Sequence, residues 1–183
     1  MTTPAPELLT VGHGTLAADD LSALLAGAGV VSLVDIRIGP GSRRNPHLGR
    51  AEMERWLPAA GVAYRWERRL GGFRKPAGAS PDVALRNHSF RAYAAHMRAP
   101  EFRGALGEVL AEAATRRTAV MCSETVWWRC HRRLVADAAV LLDGFAVTHL
   151  MPGGRLADHR PTDGARVSGP VLVYDASDVT APT

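Results

Sequence analysis

Thr118-Ala119-Val120-Met121-Cys122-Ser123-Glu124-Thr125-Val126-Trp127-Trp128-Arg129-Cys130-His131-Arg132 reads as a strand, a reactive loop and the mouth of a helix. The first five residues are apolar or β-branched, as in a buried strand. Beyond the loop, Leu134, Val135, Ala138, Leu141 and Leu142 form one helical face. The loop holds both cysteines of the chain, a glutamate, a histidine and two arginines. A strand that ends in such groups and then turns into a helix is where α/β proteins place their chemistry.

The same alternation extends on both sides. Leu8 to Val11 reads as a short strand. Leu21, Leu24, Leu25 and Ala28 recur at i, i+3, i+4 and i+7, one face of a helix. Val30 to Ile36 is a nearly continuous apolar run, the mark of a buried parallel strand. Glycines, prolines and Asn45 make 38–48 a loop. A helix over 52–60 and a strand over 62–66 follow. Residues 67–87 carry glycines and prolines without period, and a loop of that length in a compact domain is functional or disordered. Two helices come next, the second opening at Pro100 and Glu101, a proline and an acid where a first turn favours them. After the Asp143-Gly144 break, Phe145 to Leu150 is a strand. Val171 to Tyr174 is read as an added edge strand, and the tail beyond it is expected to fray.

These elements predict an α/β fold: a single domain over 1–183, with a mostly parallel sheet and helices on both faces. The core spans about 8–151, and 152–183 is a C-terminal extension. Right-handed crossovers put every strand-to-helix turn on one edge of the sheet, the edge where open α/β folds bind ligands. His13 and Thr15 follow the first strand, Asp35 and Arg37 end the second, and Cys122 and Glu124 end the fourth. Three distant segments are thus expected to share one hollow.

Composition narrows the class. A chain of 183 residues with 46% apolar content suits one soluble domain. No apolar run approaches the roughly 20 residues that span a bilayer. The first residues lack a signal-peptide pattern, and with two cysteines the expected location is a reducing cytoplasm without a structural disulfide. The formal charge is +4, carried almost wholly by arginine, since Lys75 is the only lysine. Residues 37–75 contain ten Arg or Lys against Glu52, Glu54 and Glu67, a surplus of seven. Such clustering fits either a polyanion or phosphate partner, or a solvated basic face.

The chain resembles the bacterial and archaeal family named "domain of unknown function 488". The resemblance rests on Val11-Gly12-His13-Gly14-Thr15, Val34-Asp35-Ile36-Arg37, Pro40-Gly41-Ser42-Arg43-Arg44-Asn45-Pro46, Leu70-Gly71-Gly72, Phe90-Arg91-Ala92-Tyr93 and Met121-Cys122-Ser123-Glu124 with Cys130-His131-Arg132, in the family's order. Gly14 departs from the pattern, which more often has a hydroxyl residue there; Thr15 is placed to stand in. The resemblance implies one α/β domain with these motifs, Ser42, Gly71 and Gly72 among them, around a single site. A looser similarity, at the level of fold only, is to rhodanese-like domains.

The residue chemistry leaves several roles open. Cys122, near a helix N-terminus and the positive charges of Arg129, His131 and Arg132, is the expected thiolate, with Cys130 structural. Asp35 and Glu124 are the candidate catalytic carboxylates, and His13 and His131 the proton carriers. The alternative for Asp35 is a scaffold role paired with Arg37 or Arg132. Cys122, Cys130, His131 and His13 are also a chemically acceptable zinc set. Their spacing lacks the two tight pairs of a zinc ribbon, so neither metal nor cofactor is expected. Arg37, Arg43, Arg44, Arg129 and Arg132 read as an anion cradle. Trp127 or Trp128 is expected to offer a stacking surface, with Phe73 and Tyr93 beside it.

Three functions fit this set. The first is an enzyme acting hydrolytically on a nucleic-acid base or nucleotide, for instance cleaving the glycosidic bond of a modified base. The second is a thiol enzyme transferring sulfur or phosphoryl groups through Cys122. The third is a non-catalytic module for nucleic acid or nucleotide. The basic cluster and the tryptophans favour the first, with nucleic acid or a phosphate-bearing small molecule as partner and no membrane.

Overall fold

The computed structural model describes residues 5–75 and 78–175, so the tail expected to fray lies, from residue 176 on, outside them. The strands are β1 (Glu7–Gly12), β2 (Ser32–Asp35), β3 (Ala63–Trp66), β4 (Thr118–Cys122), β5 (Ala146–Leu150), β6 (Leu156–Asp158), β7 (Ala165–Ser168) and β8 (Val171–Tyr174). The helices are α1 (Ala18–Gly27), α2 (Arg50–Ala59), α3 (His88–Met97), α4 (Pro100–Ala113) and α5 (Arg132–Leu141). The fold is α/β, a single body with a six-stranded sheet in the order β3-β2-β4-β1-β5-β6. The first five of these strands run parallel and β6 is antiparallel.

Each face of the sheet carries its own core. Leu9, Val11, Leu33, Ala119 and Met121 point toward α1 and α2, where they meet Leu21, Leu25, Met53 and Leu57. Leu8, Val34, Val120 and Cys122 point toward α3, α4 and α5. Helix α4 buries Phe102, Ala105, Leu106, Val109, Leu110 and Ala113, the spacing of one helical stripe. Each large apolar side chain among them contributes roughly 1.5–3 kcal/mol by leaving water. Helix α3 is capped by Asn87, whose Oδ1 accepts from the Ser89 backbone N–H at 2.8 Å.

The edge strand is not the one expected from sequence. After β5 the chain reverses through Pro152-Gly153-Gly154, with φ of 77° and 83° at the two glycines, and returns antiparallel as β6. Residues 171–174 do form a strand, β8, but it pairs only with β7 in a separate hairpin. The Tyr174 carbonyl accepts from the Ala84 N–H at 2.8 Å and the Leu172 carbonyl from Arg98 at 3.1 Å. The backbone of β8 is thus spent on the 82–84 loop and Arg98, while Leu172 and Tyr174 enter the core.

Candidate functional site

Strands β2, β4 and β1 are neighbours, so Asp35, Cys122 and His13 reach one edge of the sheet. They do not share one hollow. Side chains of consecutive strand residues point to opposite faces, and residues paired in register share a face. Asp35 pairs with Met121, which packs toward α1 and α2; Gly12 pairs with Cys122, which packs toward α5. The expected single pocket therefore divides into two clusters, one on each face.

On the α2 face, Asp35 is fully buried. Arg37 grips its carboxylate through Nε at 2.9 Å and 3.1 Å and through Nη2 at 2.5 Å, and the Tyr64 hydroxyl donates to it at 2.6 Å. Burial, then the Asp35 charge, raises the Tyr64 phenol far above its ordinary range. Arg37 Nη1 donates to His13 Nε2 at 3.1 Å, and His13 Nδ1–H donates to the Gly14 carbonyl at 2.9 Å. Burial and then Arg37 lower His13 to about 4, so its imidazole is neutral near pH 7. These contacts are those of the scaffold alternative, with Arg37 as the partner. Arg37 is buried on Asp35 and His13, apart from the exposed Arg43, Arg44 and Arg129 of the expected anion cradle. Thr125 Oγ1 occupies the place that a side chain on Gly14 would take, while Thr15 is exposed.

On the α5 face, the Cys122 and Cys130 sulfurs lie 3.8 Å and 3.7 Å from His131 Nδ1. His131 Nε2 lies 3.2 Å from the Ile36 carbonyl, which can only accept, so that nitrogen carries a proton and Nδ1 faces the sulfurs. Tyr93 packs against the imidazole at 5.0 Å between centroids and donates its hydroxyl to the Leu70 carbonyl at 2.6 Å. It is a core residue here, not the exposed surface expected from sequence. The helix terminus favours Cys130 rather than Cys122. Helix α5 begins at Arg132, so Cys130 stands at its N-terminus, and the Arg132 N–H points to its sulfur at 3.5 Å. The contact with Cys122 and the charge of Arg132 lower Cys130, whereas the contact with Cys130 and burial push Cys122 up.

Arg132 itself is almost fully buried and pairs with no carboxylate among the described residues. It donates to the Glu124 carbonyl and, at 3.3 Å, to Thr10 Oγ1, while its Nε finds no partner. A Cβ on Gly12 would lie 1.9 Å from the Glu124 carbonyl oxygen and 2.6 Å from Arg132 Nη2, so only glycine lets the backbone at Glu124, with the guanidinium bound to it, pass the end of β1. From Thr10 a one-way relay of donors continues. Thr10 meets His149 Nδ1 at 2.7 Å, His149 Nε2 meets His159 Nδ1 at 2.9 Å, and His159 Nε2 meets Asp137 at 2.8 Å. Asp137 also accepts from Tyr174 and from the Thr162 N–H. Trp127 stacks on His149 at 4.1 Å, nearly parallel. Sequence reading missed this network. Its histidines and Asp137 lie on separate elements with no common motif, and only the alternation of polar among apolar residues in β5 marks His149.

The remaining predicted residues lie outward. Glu124, Arg43, Arg44 and Arg129 are exposed, and Ser42 accepts from the Asn45 N–H at 3.0 Å to shape its turn. Of the basic stretch, Arg50, Arg55, Arg65 and Arg69 are paired with glutamates. Arg43, Arg44, Arg68 and Lys75 make no ion pair among the described residues. Gly71 and Gly72 sit against Ile38 and His131. Phe73, 90% exposed, follows them with φ of 55°. Trp128 is 47% exposed and meets Trp127 edge-on. The two tryptophans, Phe90, Arg86, Arg133 and Arg160 line a cleft of about 730 Å³ between α3, α5 and the segment before β7. Arg133 holds its guanidinium 5.1 Å over the Phe90 ring, and its Nε has no partner among the described residues.

The profile described as domain of unknown function DUF488 matches residues 17–139, two thirds of the chain. The chain belongs to the DUF488 family. No curated protein and no solved structure matches it. The matched span of this DUF488 domain includes Asp35, Arg37, Gly71, Gly72 and the whole 122–132 segment. His13 precedes it, and His149, His159 and Arg160 follow it. Among the described residues of the DUF488 protein no helix is long and apolar enough to cross a membrane.

Proposed function

We propose that this protein is an enzyme that binds a nucleotide or an unpaired nucleic-acid base in the Trp128 cleft and cleaves it hydrolytically, with Cys122, Cys130 and His131 as the chemical centre. The observation that carries this reading is the composition of the cleft. Aromatic walls and arginines are what a base and a phosphate require, the one stacking and the other forking onto guanidinium. Trp127 is held rigid by His149, which leaves Trp128 as the face for a base. A short segment serves both places: Trp127 and Trp128 precede Cys130, and Arg133 lies three residues after it. Scission of the glycosidic bond of a modified base is the narrower form of this reading. Asp35 is left out of it, and Glu124 is the exposed carboxylate at the same loop.

Binding of short single-stranded and double-stranded DNA and of mononucleotides at two ionic strengths tests this, with products analysed by mass spectrometry. Retention at low salt, weakening as salt rises, is expected. Trp128→Ala should lose about 1–3 kcal/mol of binding. Failure to retain any of these ligands at low salt removes the reading, and binding without any product reduces it to a non-catalytic module.

The convergence of two sulfurs on one imidazole nitrogen favours a second reading, sulfur or phosphoryl transfer through a thiol. The nucleophile would then be Cys130, at the helix N-terminus, and an intact-mass adduct on that residue during turnover would mark it.

A further inference from the structure

We infer that Cys122, Cys130 and His131 form a binding site for one divalent transition-metal ion of the zinc type, with a fourth position left to water or substrate. The three ligand atoms lie within 4.8 Å of one another. A tetrahedral zinc with bonds of about 2.3 Å to sulfur and about 2.0–2.1 Å to nitrogen sets its sulfur and nitrogen ligands about 3.6 Å apart. The sulfur-to-Nδ1 separations are 3.8 Å and 3.7 Å, close to that spacing.

One further feature points the same way. The Ile36 carbonyl accepts from Nε2 and so aims Nδ1 at the sulfurs, the outer-partner arrangement that metal-bound histidines use. Two soft thiolates and an imidazole select zinc-type ions over magnesium or calcium. Three protein ligands with an open position is the pattern of a catalytic ion rather than a structural one. Spacing argues against a metal because Cys122, Cys130, His131 and His13 lack the two tight pairs of a zinc ribbon. The loop between Cys122 and Cys130 folds back and returns Cys130 to the end of β4, and His13, the fourth member of the set considered from sequence, turns to Arg37 on the other face.

Ion binding stands on this cluster alone. Only its use, supplying a bound water of lowered pKa for hydrolysis, rests on the proposed function. The test uses the full chain, reduced, stripped with chelator and reloaded with zinc or cobalt(II). One ion per chain by elemental analysis is expected, with a thiolate-to-cobalt charge-transfer band. Zinc should also slow alkylation of both thiols in the wild-type protein, a readout that needs no variant to fold. Cys122→Ser and Cys130→Ser should each weaken binding by more than the roughly 10–100-fold that loss of an outer partner costs. Gly72→Ala should weaken it less, and His88→Ala, an exposed histidine far along the chain, should leave it unchanged. Trp128→Ala should lose nucleotide binding and keep the ion, so the two readings fail separately. Wild-type protein that holds no ion and shows no charge-transfer band overturns the site, as does equal retention in both cysteine variants.

Discussion

Arg37→Met is expected to lower the free energy of unfolding by about 3–5 kcal/mol, measured by urea denaturation. The reason is the Asp35 carboxylate it would abandon. Asp35 is fully buried, and Arg37 supplies three of its side-chain hydrogen bonds. Without the guanidinium, the Tyr64 hydroxyl and the backbone N–H of residue 37 would remain, too little for a charge in a dry interior. Asp35→Asn should also destabilise, because Arg37 would then be the unpaired charge. The double replacement Asp35→Leu with Arg37→Met should recover part of the loss, since removing both charges avoids the uncompensated one. A loss below about 1 kcal/mol in Arg37→Met would show that the pair is solvated and that Asp35 is free for chemistry after all. A catalytic Asp35 predicts a different outcome for Asp35→Asn: activity gone and stability intact.

The second large effect is acid lability set by His149. Burial, then His159 and the charge of Arg132, lower its pKa from 6.5 to about 3. The imidazole is a base whose folded-state pKa lies below its unfolded value. Above pH about 6.5 both states are neutral and it contributes no slope. Below that, the unfolded chain takes a proton that the folded one refuses, so stability falls until the folded pKa is reached. Each pH unit across this window is worth about 1.4 kcal/mol, which makes the loss roughly 2 kcal/mol by pH 5. In His149→Gln the slope between pH 6.5 and 5 should shrink by that amount, although the relay to Asp137 is weakened at every pH. Urea titrations at pH 7, 6 and 5 on both proteins measure it. Equal slopes would mean that His149 is solvated and the relay is not closed. His13, also lowered, is present in both proteins and cancels in the comparison.

Periodicity and punctuation in the sequence carry the layered fold because they are local signals. Val30 to Ile36 must be a buried strand, and the stripe on α5 must face a sheet, whatever their neighbours are. The elements that escaped sequence reading are those whose place depends on a distant partner. Strand β6 exists because the chain reverses at two left-handed glycines beside β5, and β8 leaves the sheet because the 82–84 loop and Arg98 claim its carbonyls. Thr10, Asp137, His149 and His159 look like scattered polar residues until four elements bring them into one relay.

The amino-acid sequence by itself determined that reactive side chains from three segments reach one edge of a parallel sheet, since strand direction and crossover handedness leave no other edge. Only the tertiary structure decided which of them meet. A side chain's face alternates with every residue along a strand, so a single step separates Asp35, locked to Arg37 beside α2, from the Cys122 cluster beside α5. No motif records that parity, because it is set by the register of β2 and β1 against β4. The same packing chose Cys130 over Cys122 for the helix terminus and turned Arg37 and Arg132 inward, Arg37 onto the Asp35 carboxylate and Arg132 onto Thr10 and the Glu124 carbonyl.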